Sequence, residues 1–105
     1  MFARVTTLTL KPDTTNQVSR IFRDSVVPAA SKLMGFRGAF FLEDAASNRA
    51  IAIALWDSRA NLDAGDSSGF YREQLAKSAH FVTEEPRREV YEVSVRDQAV
   101  RAHTD

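Results

Sequence analysis

The stretch Phe36-Arg37-Gly38-Ala39-Phe40-Phe41-Leu42-Glu43-Asp44-Ala45-Ala46-Ser47-Asn48-Arg49-Ala50-Ile51-Ala52-Ile53-Ala54-Leu55-Trp56 decides the fold. Two apolar runs, Phe36 to Glu43 and Arg49 to Trp56, flank a turn, Asp44 to Asn48, rich in side chains that bond their own backbone. Such runs read as two strands of a hairpin. A sheet with one wet face alternates apolar and polar residues. This hairpin does not. Ala50 to Trp56 is apolar on both faces, and the run before it offers Phe36, Phe40 and Leu42 to one side and Ala39 and Phe41 to the other.

Working outward, Phe2 to Leu10 is rich in Val, Thr, Phe and Leu and reads as a first strand, stopped at Lys11-Pro12-Asp13. A helix is expected from about Thr15 to Leu33, with Val18, Ile21, Phe22, Ser25, Ala29 and Leu33 on one face. Thr14 and Gln17 have capping-box spacing. Pro28 removes the backbone bond to residue 24 and predicts a kink or break, and Gly35 ends the segment. After the hairpin, Asp57 or Ser58 caps a helix over Arg59 to Ala64, which Gly65 interrupts. Ser67 or Ser68 caps a second piece from Gly69 to about Ala79, with Tyr71, Leu75 and Ser78 on one face. Beyond Pro86, Arg88 to Val95 reads as the last strand, with Tyr91, Val93 and Val95 pointing one way. The order is β-α-β-β-α-β. With right-handed crossovers it gives an α+β, ferredoxin-like fold, an antiparallel sheet with the helices on one face. One domain is expected over residues 1–96, followed by a polar C-terminal tail at 97–105.

Helices of that order cover only one sheet face. The other would be a large apolar patch, which soluble monomers rarely tolerate. A two-fold homodimer through the sheet face is the simplest cover. The alternative is that small alanine side chains tolerate solvent. The 105 residues carry no net charge, which argues against a nucleic-acid or anionic-membrane surface. There is no cysteine, so disulfides, thiol catalysis and cysteine-ligated metals are excluded. No run approaches the roughly 20 apolar residues of a membrane helix, and Met1 to Val5 does not read as a signal peptide. A soluble cytoplasmic protein is expected.

Met34-Gly35-Phe36-Arg37-Gly38, Ile53-Ala54-Leu55-Trp56-Asp57-Ser58 and Ser67-Ser68-Gly69-Phe70-Tyr71 resemble segments of the antibiotic biosynthesis monooxygenase family, of the dimeric α-β barrel superfamily. The resemblance spans residues 2 to 95. It implies a pocket between sheet and helices in each subunit. Members differ in activity: some oxidise phenols or quinols with molecular oxygen and neither metal nor flavin, and some degrade haem. The haem-degrading pattern has an Asn on strand one, the Trp ending strand three and a His in the next helical region. Only Trp56 matches. Strand one offers Thr6, Thr7 and Thr9, and no His follows Trp56 before His80.

Each candidate side chain has a functional and a plain reading. Trp56 could position an aromatic substrate or close the core. Tyr71 could bond a substrate oxygen, or bury its ring and keep its hydroxyl wet. His80 could be a general base or an exposed helix-end residue complementing the helix dipole. Arg37 and Arg59 could bind a carboxylate or phenolate, or be solvated charges. Phe40, Phe41 and Phe70 could line a pocket for a flat apolar molecule, or be core. The catalytic set expected is Trp56, Tyr71 and His80, and the substrate-binding set Phe40, Phe41, Phe70 and Arg37. The only histidines are His80 and His103, the latter in the tail, so no metal site is expected. No cofactor is expected either. The function expected is a cofactor-independent monooxygenase acting on a phenolic, quinol or polycyclic aromatic molecule. The alternative is a non-catalytic dimeric binding or stress-related domain.

Overall fold

A computed structural model describes residues 1–97 and Ala99. The first strand, β1 (Phe2–Thr9), is central. It pairs on one side with β3 (Arg49–Trp56) and on the other with β4 (Arg87–Glu92). The edge strand β2 (Phe36–Asp44) pairs with β3, giving the antiparallel order β2-β3-β1-β4. This is the expected ferredoxin-like arrangement. Among the described residues, no helix is long and apolar enough to cross a membrane.

The hairpin falls where the apolar runs place it, with one internal correction. Phe36 faces Trp56 and Gly38 faces Leu55, so Arg37 is an extra residue in β2. A bulge of this kind breaks the two-residue alternation. Phe36 therefore turns to the helix side, with its ring edge-on to Trp56 at 5.5 Å, while Phe40 and Leu42 keep to the outer side.

The first helical segment carries a second shift in register. Helix α1 (Thr15–Ile21) runs into a π-turn at Phe22–Val26 and then into α2 (Val27–Ala30). The break expected at Pro28 thus forms one turn earlier, and Pro28 sits in the first turn of α2. The π-turn adds one residue to a helical turn and rotates the helix beyond it. The inward residues are accordingly Val18, Phe22, Val26, Val27 and Ala30, in place of Ser25, Ala29 and Leu33. The expected capping box at Thr14 does not form. The Thr14 hydroxyl donates back to the Lys11 carbonyl at 2.7 Å.

At the next helix Ser58 caps as expected, accepting from the Asn61 amide at 3.1 Å. Gly65, however, does not interrupt α3, which runs Arg59–Ser67 with Gly65 buried inside it. A Cβ there would lie 3.4 Å from Arg4 Nη2 and 4.0 Å from the Trp56 ring, ordinary contact distances that leave room for an alanine. The chain turns at Gly69 instead, with φ of 87°, to start α4 (Phe70–Ala76). A 3-10 turn, Ala79–Phe81, leads back to the sheet, where Lys11 N–H donates to the Phe81 carbonyl and Thr83 N–H to that of Thr9. The last strand stops at Glu92, three residues short of the expected Val95. Of the tail expected at 97–105, only Asp97 and Ala99 are described; His103 lies outside the described residues.

Side-chain size sorts across β3. Ala50, Ala52, Ala54 and Trp56 face the helices; Ile51, Ile53 and Leu55 face away. On the helix side Leu8, Leu10, Val18 and Ala50 make a buried cluster with Phe41, Phe81 and Val82 against it. The outer face is apolar and open. Phe40 is 57% exposed, Tyr91 52% and Leu42 48%.

Gly35 pins the entry to this sheet. Its φ is +85°, and a Cβ would lie 2.4 Å from Asp57 Oδ1 and 2.5 Å from Asn61 Nδ2. Its carbonyl accepts from the Asp57 amide at 2.8 Å. Gly35→Ala should lower the unfolding free energy by about 1–3 kcal/mol, through backbone strain and steric conflict. Gly65→Ala should be tolerated, or gain up to about 1 kcal/mol of helix propensity. Urea denaturation of both variants checks this contrast.

Candidate functional site

Small inward residues leave a space. Between Ala39, Ala52 and Ala54 of the sheet and the π-turn, α2 and α4 lies a cavity of about 460 Å³. That is a volume suited to a small organic ligand. Its far wall is aliphatic and aromatic: Leu8, Val18, Phe22, Phe41 and Val82. Phe22 and Phe41 pack at 5.1 Å, so the π-turn closes the cavity against β2. Exposed Arg72 and Glu84 lie on the rim.

The opposite corner is polar. Arg4 and Thr6 project from β1 on the helix side, since the inward parity of that strand runs Phe2, Arg4, Thr6, Leu8. Tyr71 comes down from α4, and its hydroxyl is 2.7 Å from Thr6 Oγ1, with either oxygen able to donate. Arg4 is only 5% exposed. Its guanidinium lies 4.4 Å from the Tyr71 ring centre and 5.6 Å from that of Trp56. A cation so stacked gains about 0.5–2 kcal/mol. Arg4 Nη2 stands 2.8 Å from Asp66 Oδ1 of α3 and 3.4 Å from the Leu62 carbonyl. Arg88 of β4 pairs with the other oxygen of Asp66. Among the described residues, Arg4 Nε and Trp56 Nε1 are buried donors without hydrogen-bond partners. Such groups cost about 1–3 kcal/mol each. They are the kind of deficit a bound ligand or water relieves.

Burial lowers the pKa of Arg4, with Arg88 adding to the effect, while Asp66 and Tyr71 oppose it. An arginine so placed stays charged. Burial raises the pKa of the Tyr71 phenol above its ordinary value. Thr6, Arg4 and Arg88 pull against that, and the net direction is upward. Tyr71 is therefore neutral near pH 7 and serves as a hydrogen-bond donor, not as a base.

Of the residues singled out by sequence, Trp56, Tyr71, Phe41 and Phe70 line this cavity. The other four stand elsewhere; Arg59 is exposed on α3 and pairs with Asp63 at 3.1 Å. Phe40 is on the outer sheet face, because it pairs with Ile53. Arg37 is the extra residue of the bulge and is exposed. His80 is exposed on the 3-10 turn, edge-on to Phe81 at 6.3 Å. Arg4, Thr6, Asp66 and Arg88 were the residues that sequence reasoning missed. The available signal was strand parity: a basic residue two places from Phe2 and four from Leu8 on an otherwise inward stripe. Among the described residues, no three His, Asp or Glu side chains cluster to hold a metal ion.

No family model matches the chain, and no curated protein matches it. Solved structures do. The chain is similar to the NE2512 protein of unknown function from Nitrosomonas europaea, with a TM-score of 0.74, 18% identity and 94% of each chain covered. It is similar to SnoaB, a cofactor-independent oxygenase from Streptomyces nogalater, with a TM-score of 0.73, 11% identity, and 90% of this chain and 94% of that one covered. It is similar to the ActVA-Orf6 monooxygenase of Streptomyces coelicolor, solved with nanaomycin D, with a TM-score of 0.66, 20% identity, and 96% and 92% covered. Another similar structure bears the name antibiotic biosynthesis monooxygenase. The fold implied by the sequence resemblance is thus the fold observed.

The raised pKa of Tyr71 has a thermodynamic sign. Folding favours the neutral phenol, so its contribution is fully present below the ordinary tyrosine pKa of about 10 and is lost as pH rises through the higher folded value. Tyr91, the second tyrosine, is also raised, by its hydrogen bond to Glu89. In Tyr91→Phe protein, absorbance titration at 295 nm should show the remaining tyrosine ionising above about 10. Ionisation at or below that value would contradict the buried placement.

Proposed function

We propose that this chain is a cofactor-independent monooxygenase acting on a phenolic, quinol or polycyclic aromatic small molecule. The observation that supports the reading is the cavity itself: an apolar chamber of about 460 Å³ with one cationic, hydrogen-bonding corner at Arg4, Thr6 and Tyr71. The likeness in fold to SnoaB and the ActVA-Orf6 monooxygenase adds analogy.

The chemistry needs little from the protein. A phenolic substrate loses its proton to solvent at the rim, and Arg4 with neutral Tyr71 stabilises the anion. The anion passes one electron to O2, the resulting pair recombines at a ring carbon, and the peroxide takes a proton back from solvent to give a hydroperoxide. Loss of water converts that C–H to a carbonyl. One oxygen atom ends in the quinone and the other in water, and the substrate is the reductant. Trp56 and Phe41 hold the ring, and the aliphatic wall keeps water from the intermediate.

Oxygen-electrode measurements with a panel of hydroquinones and polyphenols test the reading. Uptake should exceed autoxidation, fall at least about tenfold in Tyr71→Phe, and vanish in Ala52→Leu, which fills the chamber. No uptake above autoxidation in any case, with ligands still raising the melting temperature, would leave a binding domain without turnover.

We further propose that the chain is a homodimer through the outer face of the sheet. Val5, Phe40, Leu42, Ile51, Ile53, Leu55 and Tyr91 share that face, and none is covered by the chain's own helices. A second copy presents the same self-complementary stripe. Sedimentation equilibrium should give a dimer, and Ile53→Lys should give a monomer with a lower melting temperature. A wild-type monomer at high micromolar concentration would exclude the assembly.

A further inference from the structure

We infer that the cavity selects a ligand bearing one negative charge at its buried end, and that Asp66 is the residue that sets this number. The inference rests on the cavity being the ligand site; it does not require oxygen chemistry there.

What matters is the charge count around Asp66, with Arg4 buried and Arg88 38% exposed. Two guanidiniums, Arg4 and Arg88, share the single carboxylate of Asp66. The corner therefore holds one uncompensated positive charge. Tyr71 adds none, since burial keeps its phenol neutral. Arg72 and Glu84, both exposed to solvent at the rim, carry opposite formal charges. Of the two guanidiniums, Arg4 is the almost wholly buried one and the one that lines the cavity; it shares Asp66 with Arg88, and its Nε–H has no partner. Buried charges are ordinarily paired, because an unpaired one is costly. A ligand anion on the wall that Arg4, Thr6 and Tyr71 share would supply both the missing charge and the missing acceptor.

The Thr6–Tyr71 pair fits the same ligand. With an anionic oxygen in the corner, Tyr71 donates to it and Thr6 donates to the Tyr71 oxygen, so both hydroxyl protons point down one chain. With a neutral carbonyl or hydroxyl ligand this polarity gains less. Asp66 makes no claim on the ligand directly. It neutralises one guanidinium of the two and holds both in place from α3, which makes it a positioning residue.

The test uses binding alone, by isothermal titration calorimetry at pH 7.5 with 2-naphthoate and its uncharged isostere 2-naphthamide. Wild-type protein should bind naphthoate at least about tenfold more tightly. Asp66→Asn, which leaves two uncompensated cations, should widen that ratio by about another tenfold, and Arg88→Gln, which leaves none, should collapse it toward unity. Thr6→Val should weaken naphthoate more than naphthamide. The ratio is internal to each protein, so altered folding moves both affinities together and does not imitate the effect. If Asp66→Asn fails to fold, wild type and Arg88→Gln still decide. Equal or preferential binding of naphthamide by wild type, a ratio unmoved by the variants that fold, or binding of neither probe at millimolar concentration overturns the inference. Naphthoate preference without any quinol-dependent oxygen uptake would sink the monooxygenase reading and leave this one standing. Oxygen uptake with no preference would do the reverse.

Discussion

The third strand carries its large side chains on the wrong side for an ordinary small protein. Ile51, Ile53 and Leu55 face away from the helices, while Ala52 and Ala54 face them. A single core would want the opposite. This one distribution has two consequences. The inner layer cannot fill, so a chamber remains beneath α4 and the π-turn. The outer layer cannot stay wet at low cost, so it calls for a partner surface. The cavity and the proposed dimer have a common origin in the side-chain sizes of a single strand.

The polar corner is the second departure from a plain core. A guanidinium so deeply buried is an expensive thing to retain, and hydrophobic replacements of buried ion pairs are often neutral or stabilising. Arg4 is held by an ion pair, a backbone carbonyl and two aromatic faces, and its Nε–H is still left over. A residue that served packing alone would not be left with an orphaned donor. Functional sites are where local rules of satisfaction are broken. The corner is assembled from four elements distant in sequence: β1, α3, α4 and β4. The fold is what brings them together.

Most of that fold was legible because it rests on composition and spacing. The Asp44–Asn48 turn, the two apolar runs and the Ser58 cap each have a local physical cause, and each forms where that cause acts. The illegible part depends on single-residue insertions. The extra residue Arg37 moved Phe36 from the outer face to the inner one. The π-turn moved the inward stripe of the first helical segment by one place. Neither has a strong sequence signature, because both are settled by how Phe36 meets Trp56 and Phe22 meets Phe41 in three dimensions. Gly65 misled for a related reason. Its helix-breaking tendency of about 1 kcal/mol is small beside the packing of α3 onto Trp56. The aromatic half of the site was legible in Trp56, Tyr71, Phe41 and Phe70. The cationic half was not, since a lone arginine in a strand reads as surface until its parity is counted.

The two faces of the sheet are also mechanically linked. On β1, Ala3, Val5 and Thr7 point outward, and Arg4 and Thr6, between them, point into the cavity. Any surface that packs against Val5 and Ile53 therefore presses on the backbone that aims Arg4 and Thr6. Edge strands move more easily than central ones, yet the corner also draws on β4, an edge strand paired only with β1. Arg88 is carried by that edge, and Tyr91, three residues on, lies on the outer face. A dimer contact covering Tyr91 would fix the strand that delivers Arg88 to Asp66. The proposed assembly and the charge balance of the corner thus meet in one strand: β4 carries Arg88 to Asp66 on one face and Tyr91 on the other.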